Sequence, residues 1–307
     1  MTRLALPLAL LLVAGCSSTE GPSRAELPAR PGLTAIGFDT DVRTASSRIE
    51  AALSQADGVS LVAEVDHAMN AAQVGGTLRP TRVLIFGNPS IGSPLMQVNQ
   101  LAGLDLPQKM LVYEDASGET VVAYNTTDYL AARYDVGGAA TIPTLAGALS
   151  SFAQSAGAVG SSLTTPPTGV ALEEGVVTER SDADAGETYS RLREAIASNA
   201  NLTIVAEIDH QANAQSVGFT LRPTRLIVFG NPRLGTPLME ASQSIAIDLP
   251  QKMLVYEGAG DQVFVAYNDP GYLAERHGIP ASVEEIATIR SALAGLAEVA
   301  TDRFARR

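Results

Sequence analysis

The sequence predicts an α/β protein (α+β-like) made of two repeated compact domains, each a mixed, partly antiparallel sheet packed with helices. Three observations carry this prediction. The chain has 307 residues, more than the ~100–150 of a typical domain. Residues 64–134 align with 207–277 without a gap, and more than half of the aligned positions are identical. Within each copy, short apolar runs alternate with helical patterns.

The composition limits the classes of function. A hydrophobic fraction of 46% supports packed cores, and the formal charge of −12 argues against a nucleic-acid surface, which needs clustered Lys and Arg. One Cys and three His exclude a disulfide scaffold and a multi-cysteine metal site. We therefore expect no metal, no cofactor and no nucleic acid as a partner.

The N-terminus predicts export. Residues 1–15 combine Arg3, a short apolar run and small residues, as a signal peptide does, and the run is too short to span a membrane. Val13-Ala14-Gly15-Cys16 resembles a bacterial lipobox, which implies lipidation of Cys16 and a membrane anchor; the alternative is an ordinary signal peptide that contains a Cys. We expect a flexible tether over 16–32 and a place in the cell envelope, facing the periplasm or exterior, with the outer membrane favoured if the cell has one.

The first part of each copy predicts a strand, a long amphipathic helix, a second strand and a short helix. The strands are expected at 33–38 and 59–65, and at 175–180 and 202–208. The short helices are expected to stop at Gly75 and Gly218, because glycine favours helix ends. We place the first domain at 33–158, a linker at 159–173 and the second domain at 174–307.

The second part of each copy predicts a central strand, a helix, a hairpin and a terminal helix. The runs 83–86 and 226–229 are apolar on both faces, which indicates a central strand covered on both sides. Ser93-Pro94 and Thr236-Pro237 predict helix starts, and 115–118 predicts a hairpin turn between strands 109–114 and 120–124. The terminal helix of the second copy carries one stripe: Ile286, Ile289, Leu293 and Leu296.

Several blocks recur in order in both copies. They include EVDH at 64–67, FGNP at 86–89, YN at 124–125, and 105–114, which is unchanged at 248–257. Through these blocks the chain resembles the domain-of-unknown-function 302 family over nearly all of its predicted mature length. The resemblance implies a compact α/β domain whose copies pair, and it implies no established activity, cofactor or substrate. We therefore expect the two repeats to pair internally as a pseudo-dimer.

The candidate ligand-binding side chains are polar residues at matching positions of the two copies. They are Glu64, Asp66, His67, Arg79, Arg82, Asn88, Lys109, Tyr113, Tyr124 and Asn125, with Glu207, Asp209, His210, Arg222, Arg225, Asn231, Lys252, Tyr256, Tyr267 and Asn268. Each has a purely structural alternative: Asp66 and Asp209 as helix caps, the arginines in ion pairs, the lysines on an edge strand. His277 is discounted because the first copy has Tyr134 there.

Three functions remain open. The favoured one is an envelope module that binds a small ligand, including an anionic one, or a protein partner. The second is an enzyme that uses His67 and His210 as acid–base groups with Lys109 and Lys252 as electrostatic helpers. The third is a structural or assembly protein. The sequence contains no GxSxG, P-loop, GxGxxG or HExxH signature, so no catalytic residue is assigned.

Overall fold

A computed structural model describes residues 27–301. The predicted signal peptide, Cys16 and most of the predicted tether lie outside these residues. The elements of the first repeat are, in chain order, β1 (Leu33–Phe38), α1 (Val42–Gln55), β2 (Ser60–Asp66), α2 (His67–Gln73), β3 (Thr81–Gly87), α3 (Pro89–Val98), a 3₁₀ helix (Gln100–Leu104), β4 (Gln108–Glu114), β5 (Thr120–Asn125), α4 (Thr127–Tyr134), α5 (Ile142–Gln154) and β6 (Val159–Thr164).

The second repeat follows the same order except for its last strand. Its elements are β7 (Val176–Ser181), α6 (Ala185–Ala197), β8 (Thr203–Asp209), α7 (His210–Ser216), β9 (Thr224–Gly230), α8 (Pro232–Ala241), a 3₁₀ helix (Gln243–Ile247), β10 (Gln251–Glu257), β11 (Val263–Asn268), α9 (Pro270–Arg276) and α10 (Glu284–Thr301).

Each repeat folds around one sheet. The strand order is β2-β3-β4-β5-β1-β6 in the first sheet and β7-β11-β10-β9-β8 in the second. The α/β class and the two repeated domains are confirmed, and the strand pairings within the described residues are antiparallel throughout. The long helix α1 buries Ile49 and Leu53 against the sheet, and burial of each such side chain stabilises the fold by ~1.5–3 kcal/mol.

Two local predictions differ from the structure. Helices α3 and α8 do not begin at Ser93 and Thr236, because Asn88 and Asn231, each followed by a proline, already cap them five positions earlier in the chain. Asn88 Oδ1 accepts a hydrogen bond from the Ser90 amide at 2.9 Å. The helices then continue through Pro94 and Pro237.

The start of the predicted linker is a strand. Residues 159–164 form β6, which pairs antiparallel with β1 and closes one edge of the first sheet. Its small residues face Gly37, where an added Cβ would meet the side chain of Ser161 at 2.6 Å. The glycine and serine residues at the start of the predicted linker therefore allow two backbones to approach closely.

The two repeats contact each other reciprocally. Gln100 Nε2 in the first 3₁₀ helix donates to Thr224 Oγ1 at 2.8 Å, and the equivalent Gln243 Nε2 donates to Thr81 Oγ1 at 2.7 Å. A contact that is repeated with the roles of the copies exchanged is the mark of a two-fold interface. The repeats of this chain therefore pair as an internal pseudo-dimer.

Candidate functional site

A group of buried charges lies between the repeats. Three equivalent residues from each copy compose this interface cluster: Asp105, Lys109 and Arg133 with Asp248, Lys252 and Arg276. Lys109 Nζ lies 3.7 Å from Asp248 Oδ1, and Lys252 Nζ lies 3.5 Å from Asp105 Oδ1. The two repeated blocks that begin at Asp105 and Asp248 are thus joined across the pseudo-two-fold axis.

The two arginines hold the partner repeat by matching bonds. Arg133 donates to Asn268 Oδ1 at 2.8 Å and to the Glu174 carbonyl at 2.9 Å, both in the second repeat. Arg276 makes the mirrored bonds, at 2.8 Å to Asn125 Oδ1 and 2.9 Å to the Pro31 carbonyl. Asn125 and Asn268 were predicted as ligand-binding candidates, and the structure uses both of them to join the repeats.

Burial and charge act against each other in the interface cluster. Burial alone would raise the pKa of Asp105, but Lys252, Arg133 and Lys109 hold that pKa well below its usual value. Burial and the adjacent Lys252 lower the pKa of Lys109 to about 7, although both aspartates oppose this shift. Both lysines are buried in the interface, and neither of them lines the cavities described below.

Tyr134 and His277 have the same role although they differ chemically. The Tyr134 hydroxyl donates to Asp105 Oδ2 at 2.8 Å, and His277 Nε2 lies 2.9 Å from Asp248 Oδ2. Burial lowers the pKa of His277 to about 4, so the ring is neutral at pH 7. The discounted His277 therefore has a structural counterpart in the first copy.

Two cavities are built from both repeats. Cavity 1 has a volume of about 290 Å³ and lies beside the FGNP block of the first repeat, and cavity 2, of about 230 Å³, lies beside that of the second. Cavity 1 is closed by His210 from the second repeat, and cavity 2 by His67 from the first. Each cavity thus needs both repeats.

The walls of the cavities are mainly apolar. In cavity 1 they come from β3, α3, α5 and the segment after the 3₁₀ helix: Phe86, Ile91, Met96, Leu106, Leu145, Leu149 and Phe152. The matching walls of cavity 2 include Phe229, Leu234, Met239, Leu249, Ile289 and Leu293. Among the described residues that line either cavity there is no Lys and no Arg.

A buried histidine and a buried hydroxyl side chain line each cavity, and one polar atom of each has no hydrogen-bond partner within residues 27–301. In cavity 1 they are Nε2 of His210 and Oγ of Ser93, and in cavity 2 they are Nε2 of His67 and Oγ1 of Thr236. A buried polar atom without a partner costs ~1–3 kcal/mol. The same two positions are unsatisfied in both copies, although Lys109 Nζ and Lys252 Nζ of the interface cluster lack hydrogen-bond partners among the described residues as well.

The two cavity histidines are held neutral. Each is the first residue of its short helix, which begins after a capping Asp66 or Asp209, as the structural alternative predicted. Burial lowers the pKa of His67 and of His210 to about 4, although the neighbouring aspartate opposes the shift. Hydrogen bonding to the backbone of Gly103 also opposes it for His210.

The charged candidates near the cavities are already paired. Arg82 binds Glu64 at 2.9 Å and Asp66 at 3.1 Å. Arg225 binds Asp209 at 3.1 Å, and Glu207 accepts from the Tyr189 hydroxyl and from Arg193. Glu207 and Asp209 also line cavity 1, whereas their counterparts Glu64 and Asp66 do not line cavity 2.

The remaining candidates lie apart from the cavities. Arg79 donates to Gln243 of the second repeat at 2.9 Å, whereas Arg222 is exposed. Tyr113, Tyr124 and Tyr267 are buried in the core, and the half-buried Tyr256 stacks on Phe264. Of the matched candidates, the structure brings His and Asn into shared cavities, with Asn88 in cavity 1 opposite His210 and Asn231 in cavity 2 opposite His67.

Sequence reasoning missed several residues of this arrangement. Arg133, Arg276, Tyr129 and Tyr272 are identical at matching positions of the repeat alignment, and the two tyrosine hydroxyls meet at 3.2 Å. That identity was a usable signal. Ser93 and Thr236 differ between the copies and were interpreted as caps, so their place in the cavities had no such signal.

A comparison with protein-family models identifies the repeated unit. The model described as "Domain of unknown function DUF302" matches residues 35–152 and again 177–296, which together make up most of the chain. The chain belongs to the DUF302 family. The internal pairing and the two cavities are therefore features of a DUF302 tandem.

Relatives and solved structures are similar over parts of this DUF302 tandem. The fluoride-specific ion channels FluC 1 of Brucella suis and FluC 1 of Brucella abortus are each 38% identical over 114 residues, or 37% of this chain. The match covers 44% and 42% of those channels, so this chain spans less than half of their length. The crystal structure of an uncharacterized conserved protein DUF302 from Bacillus stearothermophilus is 20% identical, with a TM-score of 0.38, over 41% of this chain and 98% of that one.

Two features that the described residues of the DUF302 tandem lack bear on its chemistry. Within residues 27–301 no helix has the length and apolar character needed to cross a membrane. Over the same residues, no three His, Cys, Asp or Glu side chains lie where they could share a metal ion. Apolar walls with a few polar side chains, as in these two cavities, are typical of small-molecule sites.

Proposed function

We propose that this DUF302 tandem is a binding module that takes one small, uncharged molecule into each of two composite cavities. One observation carries the proposal: each cavity combines an apolar wall from one repeat with a buried imidazole from the other, and the imidazole Nε2 has no partner within residues 27–301. Small-molecule sites are commonly apolar clefts with a few placed polar groups.

The same walls favour a neutral ligand over the anion that the sequence suggested. An anion needs a cationic or strongly donating wall, and the described residues that line the cavities include no Lys and no Arg. Both histidines are neutral at pH 7 because burial lowers their pKa to about 4. The similarity to fluoride channels supplies fluoride as an anion to be tried, and we expect it to leave both cavities unoccupied.

The enzyme hypothesis receives less support than binding. It placed Lys109 and Lys252 beside the histidines, but these lysines are enclosed in the interface cluster and line neither cavity. The structural hypothesis is favoured for the lysines, Asn125 and Asn268, which join the repeats. Pairing and binding are therefore two parts of the same proposal.

The binding proposal is tested by methyl NMR with phenol, benzoate and sodium fluoride as probes. Phenol should shift the methyl signals of Ile91 in cavity 1 and Ile289 in cavity 2, and the two anions should shift neither. Gly92→Leu extends a side chain into cavity 1 and should abolish the Ile91 response alone. An added Cβ at Gly92 meets only Leu106 Cδ1, at 3.6 Å, so the helix itself tolerates the change.

A matched control variant distinguishes blocking of cavity 1 from a general loss of stability caused by placing a leucine in a helix. Gly147 lies in α5, and an added Cβ there meets nothing within 4 Å. Gly147→Leu should leave both phenol responses unchanged. The proposal fails if phenol moves neither methyl signal, or if the Ile91 response survives Gly92→Leu in a folded protein.

We also propose that the module is anchored in the cell envelope through a lipid on Cys16. The support is the sequence of residues 1–16 and the polar segment that follows it. In the native host the full-length protein should sediment with membranes and be released by detergent, whereas Cys16→Ser should not sediment. Membrane association of Cys16→Ser would contradict the anchor and leave the cavities unaffected.

A further inference from the structure

The interface cluster contains more positive than negative charge. Four of its side chains are cationic and two are anionic: Lys109, Lys252, Arg133 and Arg276 against Asp105 and Asp248. Each of the six exposes 5% of its surface or less. His277, which contacts Asp248, adds no charge at pH 7, because burial lowers its pKa to about 4. With both lysines protonated, the cluster would therefore hold a net charge of +2 away from water.

The side chains packed around the cluster do not balance this charge. The rings of Tyr129, Tyr134 and Tyr272 pack against Arg133, and burial raises the pKa of all three phenols, so they are neutral. Helix α1 and strands β3 and β5 pack against β4, as α6, β9 and β11 do against β10. The buried side chains of these six elements are uncharged, and the titratable ones among them are the phenols of Tyr124, Tyr189 and Tyr267.

The lysines contact the carboxylates less closely than the arginines do. Lys109 Nζ lies 3.7 Å from Asp248 Oδ1 and 3.9 Å from Asp105 Oδ1, and Lys252 Nζ lies 3.5 Å from the same Asp105 Oδ1. These distances exceed the ~2.7–3.2 Å of an N–H···O hydrogen bond. Arg133 and Arg276 contact the two aspartates at 3.0 and 2.9 Å. The arginines are therefore the main partners of the carboxylates, and both lysine nitrogens lie around one oxygen.

Lysine is the cation of this cluster that can lose its charge. An arginine stays protonated in proteins, whereas the pKa of a buried lysine shifts readily. An unbalanced charge held away from water is costly, and release of a proton removes that cost. The full chain has 19 Arg and two Lys, and both lysines are in the interface cluster. Lysine thus occurs in this chain at the two positions where a cation that can become neutral relieves the excess charge.

We propose that Lys109 and Lys252 together carry one positive charge in the folded protein at mildly alkaline pH, and that the interface takes up a second proton as the pH falls through neutrality. The proposal does not depend on ligand binding. Burial and the adjacent ammonium group of Lys252 lower the pKa of Lys109 to about 7, against the attraction of both aspartates, which supports it. The contact between the repeats is therefore pH-sensitive, with a net charge that changes from +1 to +2 on acidification.

A lysine-selective NMR spectrum reports on this cluster alone, because the chain has no other lysine. In full-length protein labelled with ¹³C-lysine, each Cε signal moves when its amine loses a proton. One of the two signals should titrate near pH 7, far below the ordinary lysine pKa of about 10.5. Two signals that both remain at the ammonium position up to about pH 10, in the folded protein, would overturn the proposal.

The pH dependence of unfolding gives a second readout. Unfolded lysines keep their protons up to about pH 10.5, so above neutrality the unfolded chain holds one proton more than the folded chain. The equilibrium constant for folding, measured with urea, should rise about tenfold for each pH unit between about pH 7.5 and 9.5. Lys109→Met fixes the net charge at +1 and should remove this slope. Asp105 and Asp248 keep their arginine partners in that variant.

Controls assign the slope to the lysine pair. Arg82→Met removes a partly exposed cation outside the cluster and should leave the slope unchanged. A slope that persists in folded Lys109→Met would contradict the proposal, and if that variant does not fold, the ¹³C titration of the unmodified protein decides. A bound anion would balance the charge in another way. Greater stability in sodium chloride than in sodium gluconate of equal ionic strength, with both lysines protonated, would therefore overturn the proposal as well.

Discussion

At the scale of single residues, two sets of buried polar side chains differ in their partners. Arg133, Arg276 and the aspartates of the interface cluster have charged partners at hydrogen-bonding distance. His67, His210, Ser93 and Thr236 leave polar atoms unsatisfied at the cavities. The first set stabilises the pairing of repeats, and the second lies in the walls of the two cavities.

The first prediction concerns the interface cluster. Arg276→Met removes the partner of Asp248 at 2.9 Å and leaves a buried carboxylate poorly compensated. We expect a loss of ~3–5 kcal/mol in the free energy of unfolding, measured with urea. Arg82→Met breaks a partly exposed ion pair and should cost ~1 kcal/mol or less. Similar losses in both variants would contradict the structural role assigned to the cluster.

The second prediction concerns pH. The folded pKa of His67 and His210 is about 4, below the ordinary 6.5, so the unfolded chain binds more protons between those values. Stability should fall as pH drops from about 6.5 to about 4, by up to ~3 kcal/mol for each ring. The double variant His67→Gln/His210→Gln should show a shallower decline in urea denaturation. An unchanged pH slope would count against buried neutral histidines.

At the scale of elements, the sequence was informative where local rules decide the outcome. Helix α1, the hairpin between β4 and β5, and the buried stripe of α10 follow from periodicity and turn residues. The starts of α3 and α8 were misplaced because two cap-and-proline pairs lie close together in each. Strand β6 was missed because its pairing with β1 is a long-range contact that no local pattern records.

The candidate site was predictable only in part, because it too depends on contacts between residues that are far apart in the chain. The His and Asn candidates do line cavities, but each cavity takes them from opposite repeats. The enzyme hypothesis grouped these histidines with Lys109 and Lys252, which line neither cavity. Reciprocal pairing across a pseudo-two-fold axis is what distributes the matched residues between two sites.

The third prediction concerns the glycine that precedes the first strand of each repeat. Gly32 has φ +68°, and an added Cβ would lie 2.5 Å from the Cβ of Tyr129; Gly175, with φ +65°, faces Tyr272 in the same way. Gly32→Ala should therefore destabilise the protein by more than ~1 kcal/mol. Gly92→Ala, in the open wall of α3, should stabilise it by ~0.5–1 kcal/mol. Thermal unfolding of both variants checks the contrast, and equal shifts would contradict it.

At the scale of the whole molecule, the covalent link between repeats is secondary to their interface. The exposed Thr168 and Gly169 offer a position for an inserted protease site. After cleavage the two halves should remain together in size-exclusion chromatography, because the interface cluster and the paired Gln–Thr bonds persist. Separation of the halves under native conditions would contradict an intrinsically stable pseudo-dimer.

The most direct measurement is anomalous diffraction from crystals of the protein grown with 4-bromophenol, with data collected at the bromine edge. We predict two bromine peaks related by the pseudo-two-fold axis, one beside Ile91 and one beside Ile289. Bromine found only on the protein surface, with both cavities lacking it, would contradict the claim that paired DUF302 repeats build two ligand sites.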